Sequence, residues 1–167
     1  TVGMDVLTES IERVMAGPER RSRVLSDEDK RTIAVHEAGH ALVGHAMPRV
    51  DPIHKVSIVA RGRALGWTMA LPESESALSR RSELTDRLAF MLGGRVAEEE
   101  VFGDITTGAA DDIAQATRLA RSMVTSFGMS EAVGPQKLGE SEHEPFVGRD
   151  THDGSNLSDE LVALVDR

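Results

Sequence analysis

The residues best suited to chemistry lie in the stretch AVHEAGHALVGHA, where His36, Glu37 and His40 form the pattern H-E-x-x-H. On an α-helix, positions i and i+4 lie one above the other, about 6 Å apart along the axis. Two imidazoles placed in this way can bind one zinc ion at about 2.0–2.1 Å each. Glu37 lies about 100° around the helix, where its carboxylate can reach a water on the metal. The pattern therefore predicts hydrolysis by a zinc-bound water, with Glu37 as the general base that later returns the proton.

A catalytic zinc site also needs a third protein ligand and an open fourth position. The chain has no cysteine, so this ligand must be His, Asp or Glu. The candidates are His45, His54, Glu98, Glu99, Asp111, Asp112, His143 and His152. Histidines in loops or on another helix face are usually surface residues. Two glutamates on a predicted helix and an aspartate after a Gly-rich loop both suit a zinc site, and spacing alone does not choose between them.

The predicted elements around the motif are mainly helical. A helix from about 27 to 47 carries the motif, with Ser26 as its N-cap and Pro48 after its end. Other helices are predicted over 4–15, from Ser82 with an interruption at Gly93-Gly94, from Asp111 to the C-cap Gly128, and from about 157 to the end. Two short strands, 56–59 and 65–71, are joined by an Arg-Gly-Arg turn.

The composition limits the classes of function. The 167 residues are 40% hydrophobic and 28% charged, as in one soluble globular domain. The net charge of −9 argues against nucleic acid or an anionic membrane surface as the main partner. No apolar run approaches the roughly 18–20 residues that cross a bilayer. No G-x-x-x-x-G-K-[ST] is present, so ATP binding by that route is not expected.

Several stretches together resemble the peptidase domain of the FtsH family, which are membrane-anchored ATP-dependent zinc metalloproteases. In chain order they are HEAGHALVGHA, RGRALGWTM, LGGRVAEEEVFG, ITTGAADDIAQATRLARSMV, GMSEAVGP and FVGRD. The resemblance runs from about residue 10 to 150. It implies a mainly α metalloprotease domain with a small two-stranded β-ribbon beside the zinc site.

The resemblance also implies roles for particular residues. His36, His40 and Asp112 would bind one zinc ion, with Glu37 as the general base. Asp111 would be a charge that the helix N-terminus favours. Glu98 or Glu99 would then be structural or orient a ligand histidine through its other ring nitrogen. The departures from the family pattern, Val35, Ala60 and Glu100, touch no proposed ligand and affect local packing alone.

For the longer chain, the resemblance implies three parts. Residues 1–16 would be the end of an upstream ATPase lid, 17–25 a linker, and 26–167 the metallopeptidase domain, truncated at its C-terminus. The parent protein would be a homohexamer on the cytoplasmic side of the cell membrane, using ATP through an upstream domain and degrading unfolded or membrane proteins. Membrane attachment would come from absent N-terminal segments, and residues 1–167 by themselves would be soluble.

Some interpretations stay open at this point. Gly39 would let another element approach the helix closely near the metal. The strand near 64–70 would either accept a substrate peptide along its edge or be an ordinary ribbon strand. Two other functions compete with proteolysis. One is a non-catalytic zinc-binding oligomerisation module, and the other is a zinc hydrolase acting on a small molecule.

Overall fold

The structure is a computed structural model that describes residues 3–19, 25–62, 64–72, 76–138 and 165. Within these residues the chain forms four α-helices, a short 3-10 turn and one two-stranded antiparallel sheet. The helices are α1 (Met4–Ala16), α2 (Asp27–Ala46), α3 (Arg81–Phe102) and α4 (Ala110–Thr125), and the strands are β1 (Ile53–Ser57) and β2 (Trp67–Ala70). The expected fold class, mainly α with a small β-ribbon, is confirmed.

The chain divides into two compact units. The first, Thr1–Ala114, contains α1, α2, the sheet, α3 and the first turn of α4, and the second is Gln115–Arg167. In the second unit the chain folds back after α4, where the Leu138 amide donates to the Thr125 carbonyl at 2.6 Å. Gly128 follows the end of this helix with a φ of 61°. The closing helix predicted from about 157 lies outside the described residues, apart from position 165.

Helix α2 begins where the sequence predicts. The Ser26 hydroxyl accepts a hydrogen bond from the Asp29 amide at 3.0 Å, which satisfies one of the free N–H groups of the first turn. The helix ends at Ala46, one residue after His45 and two before Pro48. The predicted N-cap is therefore confirmed, and the helix presents the H-E-x-x-H residues from its middle turns.

Helices α2 and α3 approach each other at glycines. A Cβ atom on Gly39 would lie 2.4 Å from the Gly93 carbonyl oxygen and 2.5 Å from the Ala97 Cβ, so only glycine fits there. The interpretation that Gly39 permits a close approach is thus confirmed. The predicted interruption at Gly93-Gly94 is wrong, because α3 runs unbroken through both residues. Contact with α2 outweighs the roughly 1 kcal/mol per residue by which glycine disfavours a helix.

The two strands of the ribbon have other bounds than the sequence pattern predicts. β1 pairs antiparallel with β2 so that Val56 lies opposite Thr68 and Ser57 opposite Trp67. The predicted strand 56–59 instead begins at Ile53 and ends at Ser57. The Val59 amide donates to the Ser57 hydroxyl at 3.2 Å, a local turn that competes with strand pairing. The predicted strand 65–71 is shortened to Trp67–Ala70 because Gly66 precedes the ladder as a bend.

Helix α1 is attached to the ribbon by a buried ion-pair cluster. Arg61 donates to Glu12 at 3.0 Å and to Glu19 at 2.8 Å, and its guanidinium lies 5.8 Å from the centre of the Trp67 ring. Glu12 also pairs with Lys55 on β1. Glu12 and Arg61 are both almost fully buried, so removing one partner would leave a buried charge without compensation.

Among the described residues, no helix is long and apolar enough to cross a membrane.

The glycine contact between α2 and α3 gives a first prediction. Gly39→Ala would normally stabilise a helix by about 1 kcal/mol, but here the added methyl group meets backbone atoms of α3. We expect the free energy of unfolding, measured by urea denaturation, to fall by about 1–3 kcal/mol. His45→Ala, at an exposed position of the same helix, should leave it within about 0.5 kcal/mol. A Gly39→Ala variant at least as stable as wild type would contradict the close contact.

Candidate metal centre

Three side chains from two distant segments bring their donor atoms together. The Nε2 atoms of His36 and His40 lie 3.0 Å apart. The Oδ2 atom of Asp112 lies 3.1 Å from Nε2 of His36 and 3.5 Å from Nε2 of His40. Both rings are nearly buried, whereas the Asp112 side chain is 24% exposed. The first turn of α4 thus completes a cluster that α2 begins, and this cluster could hold a metal ion.

The hydrogen bonds behind the two rings decide which nitrogen carries the hydrogen. Nδ1 of His36 lies 2.6 Å from Glu98 Oε1, and Nδ1 of His40 lies 2.8 Å from the Phe90 carbonyl oxygen. A carboxylate and a backbone carbonyl can only accept hydrogen bonds, so this network assigns the hydrogen to Nδ1 in each neutral ring. Both Nε2 atoms then present lone pairs to each other and to Asp112. Three such atoms repel one another unless a cation lies between them.

The dimensions of the cluster fit zinc. With bonds of about 2.0–2.1 Å, the donor atoms of a tetrahedral zinc site lie about 3.3–3.4 Å apart. The three separations, 3.0, 3.1 and 3.5 Å, bracket that value. The adjoining wall is Gly94 of α3, where a Cβ atom would lie 2.5 Å from Nε2 of His36 and 2.6 Å from Nε2 of His40. Glycine at this position therefore keeps space free beside the donor atoms.

Glu98 connects the two segments that supply the cluster. Its side chain is 1% exposed, with Oε1 at His36 and Oε2 accepting a hydrogen bond from the Thr106 amide at 2.8 Å. Thr106 caps the 3-10 turn Thr107–Ala109, which leads directly into α4 and Asp112. One carboxylate therefore orients a histidine on α2 and also holds the loop that delivers the aspartate. Such outer contacts fix ring orientation in metal sites.

The pKa values within the cluster show how a proton and a metal compete for it. Burial lowers the pKa of His36, but hydrogen bonds to the carboxylates of Asp112 and Glu98 outweigh this effect and leave the pKa above its ordinary value. Burial raises the pKa of Asp112, but hydrogen bonds with His36 and His40 bring it down to about 2. The carboxylates of Asp112 and Glu98 therefore favour a positive charge at the His36 ring. A metal ion bound there would compete with a proton for the same nitrogen.

Glu37 lies beside the cluster and faces strand β2. Its residue surface is 6% exposed, and burial raises the pKa of its carboxyl above the ordinary value. The Thr68 hydroxyl opposes this shift by donating to Oε2 at 2.7 Å. A buried carboxyl with a raised pKa is closer to the pKa that suits a general base near neutral pH.

The remaining candidates for a metal ligand stand apart from the cluster. His45, His54 and Asp111 are exposed. Glu99 is 57% exposed and pairs with Arg95 at 2.8 Å, so of the two adjacent glutamates only Glu98 contacts the cluster. The loop residues 143 and 152, both histidines, lie outside the described residues.

Two further residues of the site cannot be identified from the sequence patterns. Gly94 is predicted as a helix interruption, although a glycine pair inside an amphipathic helix also indicates close packing. Thr68 contacts Glu37 across 31 positions of sequence, and no local pattern predicts that contact. The available signal is weak: Gly66 and Thr68 alternate along the chain, as residues on one face of a strand do.

A helix-borne pair of histidines, an acidic third donor and a buried glutamate define the class of HExxH zinc hydrolases. Comparison with known proteins is more specific, because residues 23–167 match Peptidase family M41. The chain belongs to this family.

Relatives from three bacteria are about half identical to the chain. The ATP-dependent zinc metalloprotease FtsH of Slackia heliotrinireducens is 53% identical over 99% of this chain and 21% of its own length. FtsH 1 of Sphaerobacter thermophilus is 52% identical over 100% of this chain and 26% of its own length. FtsH of Rubrobacter xylanophilus is 49% identical over 99% of this chain and 26% of its own length. The chain thus spans about a quarter of the length of these relatives.

The hydrogen-bond network predicts a graded loss of zinc affinity. Asp112→Ala removes a donor atom and should abolish stoichiometric zinc binding. Glu98→Gln keeps the shape but loses the charge behind His36, and we expect zinc to bind about 10–100-fold more weakly. The measurement is competition with a chromophoric zinc chelator. Glu99→Gln is the matched control and should bind zinc as wild type does. Equal effects at Glu98 and Glu99 would contradict the assigned contact.

Proposed function

We propose that this chain is the zinc-dependent endopeptidase domain of a longer ATP-dependent protease. His36, His40 and Asp112 bind one zinc ion, and Glu37 is the general base. The observation that supports this most strongly is the convergence of three lone pairs whose directions are set by Glu98 and the Phe90 carbonyl. Membership of Peptidase family M41 supports the reaction class. It does not favour the alternative of a non-catalytic zinc-binding oligomerisation module.

The residues of the chain divide the work of hydrolysis. When bound, zinc supplies a Lewis acid that polarises the peptide carbonyl and acidifies water. Glu37 takes a proton from the attacking water on Oε1 as the oxygen–carbon bond forms. It returns that proton to the leaving amine nitrogen as the carbon–nitrogen bond breaks. His36 and His40 keep their Nδ1 hydrogens throughout, because Glu98 and the Phe90 carbonyl hold them.

The role of the whole protein is also proposed. Residues 1–16 are the end of an ATPase lid, 17–25 are a linker, and 26–167 form the metallopeptidase domain. The relatives are named ATP-dependent, which supports ATP use through a domain outside this chain. The substrates are unfolded or membrane proteins, and the assembly is a homohexamer on the cytoplasmic side of the cell membrane. Membrane attachment comes from segments outside this chain.

Replacing the proposed base tests the function. Glu37→Gln keeps the size of the side chain but cannot take a proton, so hydrolysis of fluorescently labelled casein should fall by about 10²–10⁴-fold. Zinc per chain, measured by atomic emission, should stay at about one, since Glu37 is not a ligand.

One control variant and three outcomes distinguish the proposed function from its alternatives. Asp111→Asn changes an exposed carboxylate beside Asp112 and should leave both values unchanged. Full casein hydrolysis by Glu37→Gln would contradict the assignment of the base. Zinc-loaded wild type that cleaves only small model substrates would indicate a hydrolase of another class. Wild type that holds zinc and cleaves nothing would favour the assembly module.

A further inference from the structure

We infer that Thr68 is a positioning residue for the reaction, since it holds one oxygen of the Glu37 carboxylate so that the other is left to take the proton. This inference rests on the proposed function, in which Glu37 is the general base. It assigns a task to the β-ribbon that the metal site itself does not require.

The contact is short and directed. Oγ1 of Thr68 lies 2.7 Å from Oε2 of Glu37, a length typical of a hydroxyl donating to a carboxylate. The same hydroxyl lies 3.2 Å from the Glu37 backbone carbonyl oxygen. The strand residue therefore contacts both ends of one glutamate, its main chain and its carboxylate. Because the hydroxyl has one hydrogen, its main hydrogen bond is to the closer carboxylate oxygen, while helix α2 already fixes the main chain of Glu37. This hydrogen bond limits the rotamers of the Glu37 side chain.

The strand that carries Thr68 is itself fixed. Thr68 lies opposite Val56 in the antiparallel ladder, so the pairing with β1 fixes the position of Thr68 relative to α2. Two residues earlier, Gly66 lies against the same glutamate. A Cβ atom there would meet Oε1 of Glu37 at 2.8 Å and Cγ2 of Ile33 at 2.6 Å. Glycine at 66 and threonine at 68 thus form one face that fits the Glu37 side chain.

The two carboxylate oxygens have different surroundings. Oε2 accepts the Thr68 hydroxyl, whereas Oε1 accepts no hydrogen bond from any described residue. Oε1 instead lies beside Gly66, where the absence of a side chain leaves room next to this oxygen. A proton transferred from water to Glu37 can therefore go to Oε1, to which no described residue donates. The Thr68 hydroxyl can stay on Oε2 before and after the transfer, because both the carboxylate and the neutral acid accept there.

An ordinary structural role for Thr68 makes a different prediction from a positioning role. If the hydroxyl only satisfies a buried carboxylate, its loss lowers stability and leaves turnover per folded enzyme unchanged. If it positions the base, its loss lowers kcat in enzyme that is folded and zinc-loaded. Restoring a hydroxyl on a smaller side chain then restores kcat.

The experiment uses zinc-loaded wild type, Thr68→Val, Thr68→Ala, Thr68→Ser and Glu37→Gln on an internally quenched peptide. Zinc per chain and circular dichroism verify that each variant is loaded and folded. For Thr68→Val we expect kcat to fall about 10–100-fold, as for loss of a hydrogen bond to a charged group, with KM within about twofold. Thr68→Ser should recover kcat to within about threefold. The matched control, Thr85→Val, loses an exposed hydroxyl on α3 and should keep wild-type kinetics.

A second readout does not depend on activity. In crystal structures of the zinc-loaded proteins, the Glu37 carboxylate should keep its place in Thr68→Ser and leave it, or occupy several rotamers, in Thr68→Val. Thr68→Ala provides the same test if the valine variant does not fold. An unmoved carboxylate in the variant that lacks the hydroxyl would overturn the inference.

The kinetic outcomes separate the inference from the proposed function. Wild-type activity lost in Glu37→Gln but kept in Thr68→Val or Thr68→Ala would overturn the role of Thr68 and leave the proposed function intact. Failure of Thr68→Ser to recover activity would also overturn it. Activity kept in Glu37→Gln, or absent from zinc-loaded wild type, would contradict the proposed function, and the role of Thr68 would fall with it.

Discussion

Three lone pairs that face one another within 3.5 Å form the constraint on which the rest of the site depends. Such an arrangement is repulsive unless a cation lies among the atoms, and a buried histidine pair has few ways to avoid it. Turning either ring would break the hydrogen bond that Glu98 or the Phe90 carbonyl makes with its Nδ1. The carboxylates of Asp112 and Glu98 favour a positive charge at the His36 ring. A zinc ion held by the three side chains would supply the cation that this arrangement needs.

The packing of the helices can be understood as a means of satisfying this constraint. Gly39 and Gly93 bring α2 and α3 into backbone contact, and that contact brings Glu98 behind His36 and Gly94 beside the donor atoms. The same carboxylate of Glu98 binds the amide of the loop that leads to α4, so the third donor is tied to the first. On the other side of α2, the ribbon places Thr68 against Glu37. The contacts that shape the site are thus also contacts that join the helices and the ribbon.

The sequence predicts those features that depend on local geometry. The helical spacing of His36 and His40 and the cap at Ser26 follow from periodicity and from the chemistry of a helix N-terminus, and the structure agrees. The third donor joins the pair across 76 positions, a closure that no spacing rule can predict, and resemblance to a family is needed to favour Asp112. The predicted interruption at Gly93-Gly94 is wrong because it rests on local sequence alone. Helix propensity is a local quantity, and packing against α2 overrides it.

Anomalous scattering can show directly whether the three converging atoms bind zinc. A crystal of the zinc-loaded protein would be measured on both sides of the zinc absorption edge. We expect one strong anomalous peak per chain, about 2.0–2.1 Å from Nε2 of His36, Nε2 of His40 and Oδ2 of Asp112. Glu98 should remain hydrogen-bonded to His36 and not touch the metal. A peak bound by Glu98 or Glu99 instead of Asp112, or no peak between the two histidines, would contradict zinc binding by His36, His40 and Asp112.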